Sequence, residues 1–401
     1  MKVIRDPIHK NVSLNDVDIK IIDTETFQRL RRIKQLGVVH LTFPGAHHTR
    51  FEHSLGARYL ASVVLSSLQA RGCDLDPEMV PLVEVSALLH DIAHPPFSHV
   101  VDELLSSSPY NMGHERVIER KLRGTDLADV VEESTFTRDE ILSILRGRRG
   151  FYSKIIKSDI DVDRLDYLLR DSFYCGVSYG IFDEKIILEL RRHGDDLVVT
   201  EKGVGPAENV LFARFQMHTM VYNHKTVRAT ASMIRKAVSM AIKEGAIRPE
   251  EIYDMDDSSI LVAMVKRCSE EVAQIVNSYA NRWLYKRAYW KNWFQLEKEQ
   301  LNMMLELQRN RVAIEEYEEE IANAAGVSPH EVCLDVPKAP ILEEVRVKVL
   351  FKDGSVKELS EISPTAKSLS ESFKYYWYFQ VCSPREHVES VRRACQRIFE
   401  A

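Results

Sequence analysis

No stretch of this 401-residue chain approaches the ~18 uninterrupted apolar residues that a membrane-spanning helix requires, and the opening MKVIRDPIHK lacks the apolar centre of an export signal. Membrane insertion and export are not expected; a cytoplasmic location is. Cysteine is scarce. The six residues Cys73, Cys175, Cys268, Cys333, Cys382 and Cys395 are scattered with no close pairs, which argues against a disulfide framework and against a thiolate zinc site. Positive charge is not in excess either: the formal net charge is -6 and the pI about 6.2, so no bulk field holds nucleic acid or an anionic membrane, and any phosphate binding has to be local. Internal repeats and low-complexity tracts are missing as well.

Apolar residues make up 45% of the chain, enough for a sizeable core, and at about 150 residues per domain the length predicts two or three domains. Ahead of residue 190 apolar side chains recur mostly at helical spacing, as in Val80, Leu82, Val83, Val85, Leu88 and Leu89, and alternating β-branched runs are rare. The body is expected to be mostly α, with breaks at 42–46, at Pro95 and Pro96, and at 147–150. A short strand and turn are expected after Leu197, helical periodicity over Ala207–Lys243, and a long helical stretch from Met255 to about Ala325. In that stretch the basic aromatic run 282–294, with Tyr285 and Tyr289 four apart, reads as helix packing rather than a base-stacking surface. Beyond residue 340, alternation at 344–351, a LysAspGly turn at 352–354, a β-rich run at 375–381 and an amphipathic helix over 386–400 predict a small α+β module. The expected division is 1–325 and 326–401.

Histidine supplies the chemistry. His40, His47, His48, His53, His90, His94, His99 and His114 place eight of fourteen histidines within about 75 positions. His90 and Asp91 stand side by side at the end of an apolar helix, where a backbone-fixed imidazole and carboxylate can reach one ion. A buried ionised aspartate is costly unless paired, so Asp91 needs a metal, a helix end to cap or an arginine. Residues 158–171 set five aspartates around Ile160, Val162, Leu165, Leu168 and Leu169, more apolar surface than a solvated acidic face needs. ArgPheGluHis at 50–53 opens a helical run with another imidazole.

ArgPheGluHis, then HisAsp, then AspValAsp, in that order, resembles the HD superfamily of metal-dependent phosphohydrolases. Residues 2–9, the run 22–37, PheProGlyAla at 43–46 and HisProProPheSerHis at 94–99 resemble its dNTP triphosphohydrolase branch, which includes the SAM-and-HD-domain proteins. The resemblance covers roughly residues 1–300 and implies a helical HD-domain core followed by the small α+β C-terminal module.

Carried over position by position, the resemblance implies metal ligands at His53, His90, Asp91 and Asp163. Two imidazoles and two carboxylates leave room for water and phosphate oxygens in an octahedral shell, suiting Mn, Fe, Ni or Mg. It implies acid, base and phosphate-contacting roles for His94, His99 and His114, with Asp102 either orienting an imidazole or standing as a solvated helix carboxylate. Arg50 and Arg164 match phosphate-binding cations, although the SAM-and-HD-domain enzymes have lysine at the latter. Gln35, Leu36, Tyr167 and Asp171 match sugar contacts. Arg214, His218, Tyr222, His224 and Lys225 match the distal wall, where Tyr222 is either a filter against a 2′ hydroxyl or a helix-core aromatic. Lys2, Val3, Asp23, Gln28 and Arg31 match positions that bind an activating guanine nucleotide in regulated members, but the family continues with glycine where this chain has Lys10. The implied activity is hydrolysis of a dNTP substrate to deoxynucleoside and tripolyphosphate, in a homo-oligomer (dimer or tetramer). Another nucleotide phosphoester as substrate, or a non-catalytic nucleotide sensor, is the alternative.

Overall fold

Helices start where the sequence supplies caps. In the computed structural model, which describes residues 2–338 and 346–400, Thr49 and Glu52 form a capping box at the head of the helix Arg50–Ala70, with the Thr49 amide donating to Glu52 Oε2 at 2.8 Å. Asp161 caps Val162–Cys175 by accepting from the Arg164 amide at 2.8 Å, and Gly176, at φ 68°, ends that helix in the left-handed conformation. The apolar helix Met79–Leu89 stops before His90, and the next begins only at His99, beyond the double proline. Helix Arg50–Ala70 packs against both Met79–Leu89 and Val162–Cys175. Among the described residues, no helix is long and apolar enough to cross a membrane.

Among the described residues, nine strands make three small sheets. β1 (Lys2–Asp6) and β2 (Lys10–Leu14) form an antiparallel hairpin, a local strand pair in a body that is mostly helical as expected. Lys10 stands in its turn at φ 65°, a conformation that favours glycine, which accounts for the glycine of the family pattern at this place. β3 (Leu190–His193) and β4 (Asp196–Thr200) join β7 (Lys348–Leu350) and β8 (Val356–Glu358) in the order β3-β4-β7-β8, with β4 and β7 parallel. Of the expected alternating run at 344–351, residues 344 and 345 lie outside the described residues. β5 (Lys286–Asn292), β9 (Tyr378–Ser383) and β6 (Cys333–Asp335) form the third sheet, with β9 central.

β5 corrects the expectation of continuous helix over 255–325. The helix Glu270–Ala280 ends before Arg282, at φ 59°, and the aromatic run that follows pairs with β9. Tyr285 precedes the strand and a bulge between Arg287 and Tyr289 shifts the register, so the spacing of four is not a strand-face pattern here; tyrosine and tryptophan favour the pleated choice once a partner strand is present. The helical run expected over 207–243 is likewise interrupted, by a π-helical segment at His218–Tyr222.

A second apolar core, including Tyr289, Met304, Ile321, Leu334, Phe379 and Phe399, gathers residues from both sides of position 325. The expected boundary between 325 and 326 therefore runs through this core, and two of the three sheets join segments on either side of it.

Gly56 sits where Arg50–Ala70 approaches Val162–Cys175: a Cβ there would lie 1.8 Å from Asp166 Oδ1 and 2.5 Å from Arg170 Nη2. Both neighbours are locked in a buried ion pair, so Gly56→Ala should destabilise by about 2 kcal/mol or more despite the better helix propensity of alanine. Denaturant unfolding checks this; an unchanged midpoint would mean that the two helices can separate freely.

Candidate metal centre and adjoining cavity

Three chain segments bring the expected ligands together. His53 lies in the first turn of Arg50–Ala70, Asp163 in the first turn of Val162–Cys175, and His90 and Asp91 directly after Met79–Leu89. His53 Nδ1 lies 2.8 Å from Asp166 Oδ2, and His90 Nδ1 lies 2.7 Å from the Ala87 carbonyl oxygen. These partners are acceptors, so in each neutral imidazole Nδ1 holds the hydrogen and Nε2 is left with a lone pair.

The two Nε2 atoms are 3.2 Å apart; Asp163 Oδ1 lies 3.0 and 3.7 Å from them, and Asp91 oxygens lie 3.6 Å from His53 Nε2 and 3.5 Å from His90 Nε2. Such spacings suit neighbouring ligands of one divalent ion with bonds of ~2.1 Å. His53, His90 and Asp91 thus form a group able to hold a metal ion, with Asp163 against it. In the ion-free protein a proton takes the cation's place. Burial alone would lower His53, but hydrogen bonds to Asp163 and Asp166 push it up to about 10, and Asp91 and Asp163 raise His90 against the same burial.

The cluster opens on a cavity of about 1900 Å³. Arg50 forms a close ion pair with Asp91 and donates from Nε to Ser98 Oγ at 2.9 Å, while its buried Nη2 has no hydrogen-bond partner among the described residues. Ser98, at φ 53°, donates in turn to the Lys34 carbonyl at 2.7 Å. Asp257 accepts from the Phe97 amide at 2.7 Å and from the Lys34 amide at 3.0 Å, tying the 94–99 loop to the segment that brings Gln35 and Leu36 to the cavity.

His94, His99 and His114 line the same wall. His94 stacks on His114 with centroids 4.1 Å apart and meets His99 edge-on at 5.1 Å. Burial, reinforced by the Arg50 charge, lowers His94 well below the ordinary histidine value and His99 to about 4, so both are neutral near pH 7. Asp102 does not line the cavity: its two oxygens accept from His114 Nδ1 and the His114 amide, both at 2.8 Å, and it lies far below the usual carboxylate range because these bonds outweigh its burial.

Further along the helix that carries Asp163, both Asp171 oxygens are engaged. His48 Nε2 lies 2.7 Å from Oδ1, and the Tyr222 hydroxyl donates to Oδ2 at 2.6 Å. Each oxygen keeps a lone pair for a further donor. Tyr167, Arg164 and Arg214 line the cavity beside them, with Arg164 3.1 Å from Asp161 and Arg214 3.9 Å from Asp159. His218 meets Tyr222 edge-on at 5.0 Å within the π-helical segment, a local distortion common at functional sites. Phe373 and Tyr376, from the C-terminal helix Pro364–Tyr376, complete the rim.

The structure does not bring His224 and Lys225 to this cavity. The chain turns after Tyr222, His224 caps the helix Lys225–Lys243 and meets Phe43 edge-on at 6.1 Å, and Lys225 is exposed. Lys2, Val3, Asp23, Gln28 and Arg31 also lie outside it. Lys2 and Val3 are exposed on β1, Gln28 and Arg31 bond to each other at 2.8 Å, and Arg31 lies over the Phe51 ring at 3.5 Å. Sequence reasoning assigned no role to Asp166, His48, Ser98 or Asp257. The available signal was spacing: Asp166 follows Asp163 by one turn and precedes Arg170 by another.

The HD domain family matches residues 50–171 and the HD associated region matches residues 181–401. An uncharacterised protein of Methanocaldococcus jannaschii is 36% identical, over 98% of this chain and 81% of its own length. The deoxynucleoside triphosphate triphosphohydrolase SAMHD1 of Gallus gallus is 31% identical, over 60% of this chain and 45% of its own. Among solved structures, a phosphohydrolase of Bacteroides thetaiotaomicron superposes with a TM-score of 0.76 at 26% identity, covering 96% of this chain and all of that one.

Since His53 holds a proton up to about pH 10 in the ion-free protein, a cation bound at Nε2 must displace it. Adding Mn2+ to weakly buffered protein at pH 7 should acidify the solution, and affinity should rise with pH. Binding without proton release would contradict the protonation argued for His53.

Proposed function

The chain belongs to the HD-domain phosphohydrolases related to the deoxynucleoside triphosphate triphosphohydrolases, and on that footing we propose that it hydrolyses dNTPs to deoxynucleoside and tripolyphosphate. The observation that supports this most is one cavity lined by His90, Asp91 and Asp163, with the buried His53 against them, Arg50 and Arg164 beside them, and the Asp171–Tyr222 pair about two turns further along the helix that carries Asp163. Eight residues of helix separate Asp163 from Asp171, ~12 Å, a span that suits a phosphate at the first and a sugar at the second.

A divalent cation held by the four ligands would supply charge neutralisation at the α-phosphate and a more acidic water. Arg50 offers its unpartnered Nη2 to a phosphate oxygen, and Arg164 and Arg214 take the outer phosphates. A water attacks the α-phosphorus and loses a proton, the bond from phosphorus to the nucleoside O5′ breaks with its electron pair going to O5′, and O5′ takes a proton from a protein acid that the water's proton then restores. His114 is placed to deliver it, because Asp102 fixes Nδ1–H and leaves Nε2 as the atom that exchanges protons. Neutral His94 and His99 contact phosphate oxygens without adding charge. Asp171 accepts from the sugar 3′ hydroxyl, and the Tyr222 ring, anchored on Asp171, crowds C2′.

Incubation with each dNTP and rNTP in the presence of Mn2+, Fe2+, Ni2+, Mg2+ or Co2+ should yield tripolyphosphate from dNTPs; orthophosphate as the sole inorganic product would replace this reading with that of another phosphoesterase. Replacing His90 and Asp91 by alanine should abolish both metal content and turnover. Tyr222→Ala should raise relative rNTP turnover about tenfold or more, as expected for removal of a steric filter.

A further inference from the structure

The hairpin turn between β1 and β2 reaches the metal centre from outside the HD domain match at residues 50–171. Asp6 first shapes the turn: its Oδ1 accepts from the amides of Ile8 and His9 at 2.9 and 2.8 Å. Its Oδ2 also accepts from Arg170 Nη1 at 2.8 Å, fixing the guanidinium against the helix. Arg170 then holds Asp166 with two bonds, Nε to Oδ2 at 2.8 Å and Nη2 to Oδ1 at 2.9 Å. The turn adds a second hold of its own, because His9 Nε2 lies 2.6 Å from Asp166 Oδ1. Asp166 is thereby clamped on both oxygens, and it accepts from His53 Nδ1 at 2.8 Å. His53, Asp166 and Arg170 are fully buried, so no water can substitute for a lost partner.

A ligating imidazole is aimed by whatever holds its other nitrogen, and loosening that partner typically costs 10–100-fold in metal affinity. We propose that Asp6 and His9 are positioning residues for the metal ligand His53, acting through Arg170 and Asp166. The hairpin is thus part of the metal centre and not only an appendage to the helical body, and a ligand that displaced β1 would alter cation binding. This inference rests on the reading of His53 as a metal ligand.

His9 also packs against Tyr59, with ring centroids 4.9 Å apart, so the test must separate packing from the hydrogen bond. His9→Phe keeps a ring on Tyr59 and removes the bond to Asp166; His9→Gln restores an amide donor at comparable reach. Full-length proteins loaded with Mn2+ are challenged with a chelator, and metal per chain is followed over time alongside the thermal midpoint. His9→Phe should lose metal about tenfold faster or more while still unfolding cooperatively, and His9→Gln should stay within about threefold of the parent. Equal retention by parent and His9→Phe overturns the positioning role and leaves the metal site standing. No metal bound by the parent overturns both.

Discussion

A carboxylate with no access to water fixes the geometry on which the rest depends. Asp166 would be prohibitively costly as an isolated buried ion, and every neighbour within hydrogen-bond reach is arranged to offset that cost: Arg170 forks onto it, His9 and His53 each point a nitrogen at it, and Gly56 gives up a side chain to let it in. Removing any one partner leaves charge exposed to a low dielectric, so the cluster tolerates little play. Because Asp166 is one turn beyond Asp163 and bonded to His53, the same constraint fixes the separation of two proposed ligands that stand on different helices.

The second region under constraint is the 94–99 loop. Phe97 and Ser98 both adopt positive φ, at 57° and 53°, conformations that cost such residues about 1–3 kcal/mol each. The compensation is visible: Asp257 holds the Phe97 amide, and Ser98 bridges Arg50 and the Lys34 carbonyl. The strained turn lets His94 and His99 face the same space although the double proline lies between them. The C-terminal segment then closes the rim with Phe373 and Tyr376, and its strands β7 and β9 pair with β4 and β5, so that wall is built into the sheets rather than laid against them.

These two regions also mark how far the sequence could be read. The proposed metal ligands were legible because each is a hard ligand type at a helix end beside apolar residues, and the order of the motifs is specific. The holders of those ligands were not, since Asp166, Ser98 and Asp257 are ordinary polar residues whose meaning comes from partners 48 to 223 positions away in the chain. The resemblance groups His224 and Lys225 with Tyr222 in the distal wall, but the π-helical segment ends at Tyr222 and the turn that follows directs these two away from the cavity, which the chain meets again at Val227 and Arg228. β5 was misread as helix because a run of aromatics is ambiguous until its neighbour is known, and that neighbour, β9, lies about ninety residues on.

If the proposed dNTP is the substrate, an acidic chain has to accommodate a polyanion by local electrostatics, and the charges around the ligand cluster bear on how. Arg50, Arg164 and Arg214 bring three positive charges, but Asp91, Asp159, Asp161 and Asp163 stand against or between them with four negative ones when all are ionised. With His94 and His99 neutral and His53 protonated in the absence of a cation, four against four leaves the immediate surroundings of the ligands without surplus positive charge for a triphosphate. Burial relieves part of this by pushing Asp161 up to about 6, against the pull of Arg164. A divalent ion reverses the balance outright: it offsets Asp91 and Asp163 and leaves Arg50 free to turn its unpartnered Nη2 toward phosphate. On this reading cation and nucleotide occupy the cavity cooperatively, the first being a condition for tight binding of the second and not only for its cleavage.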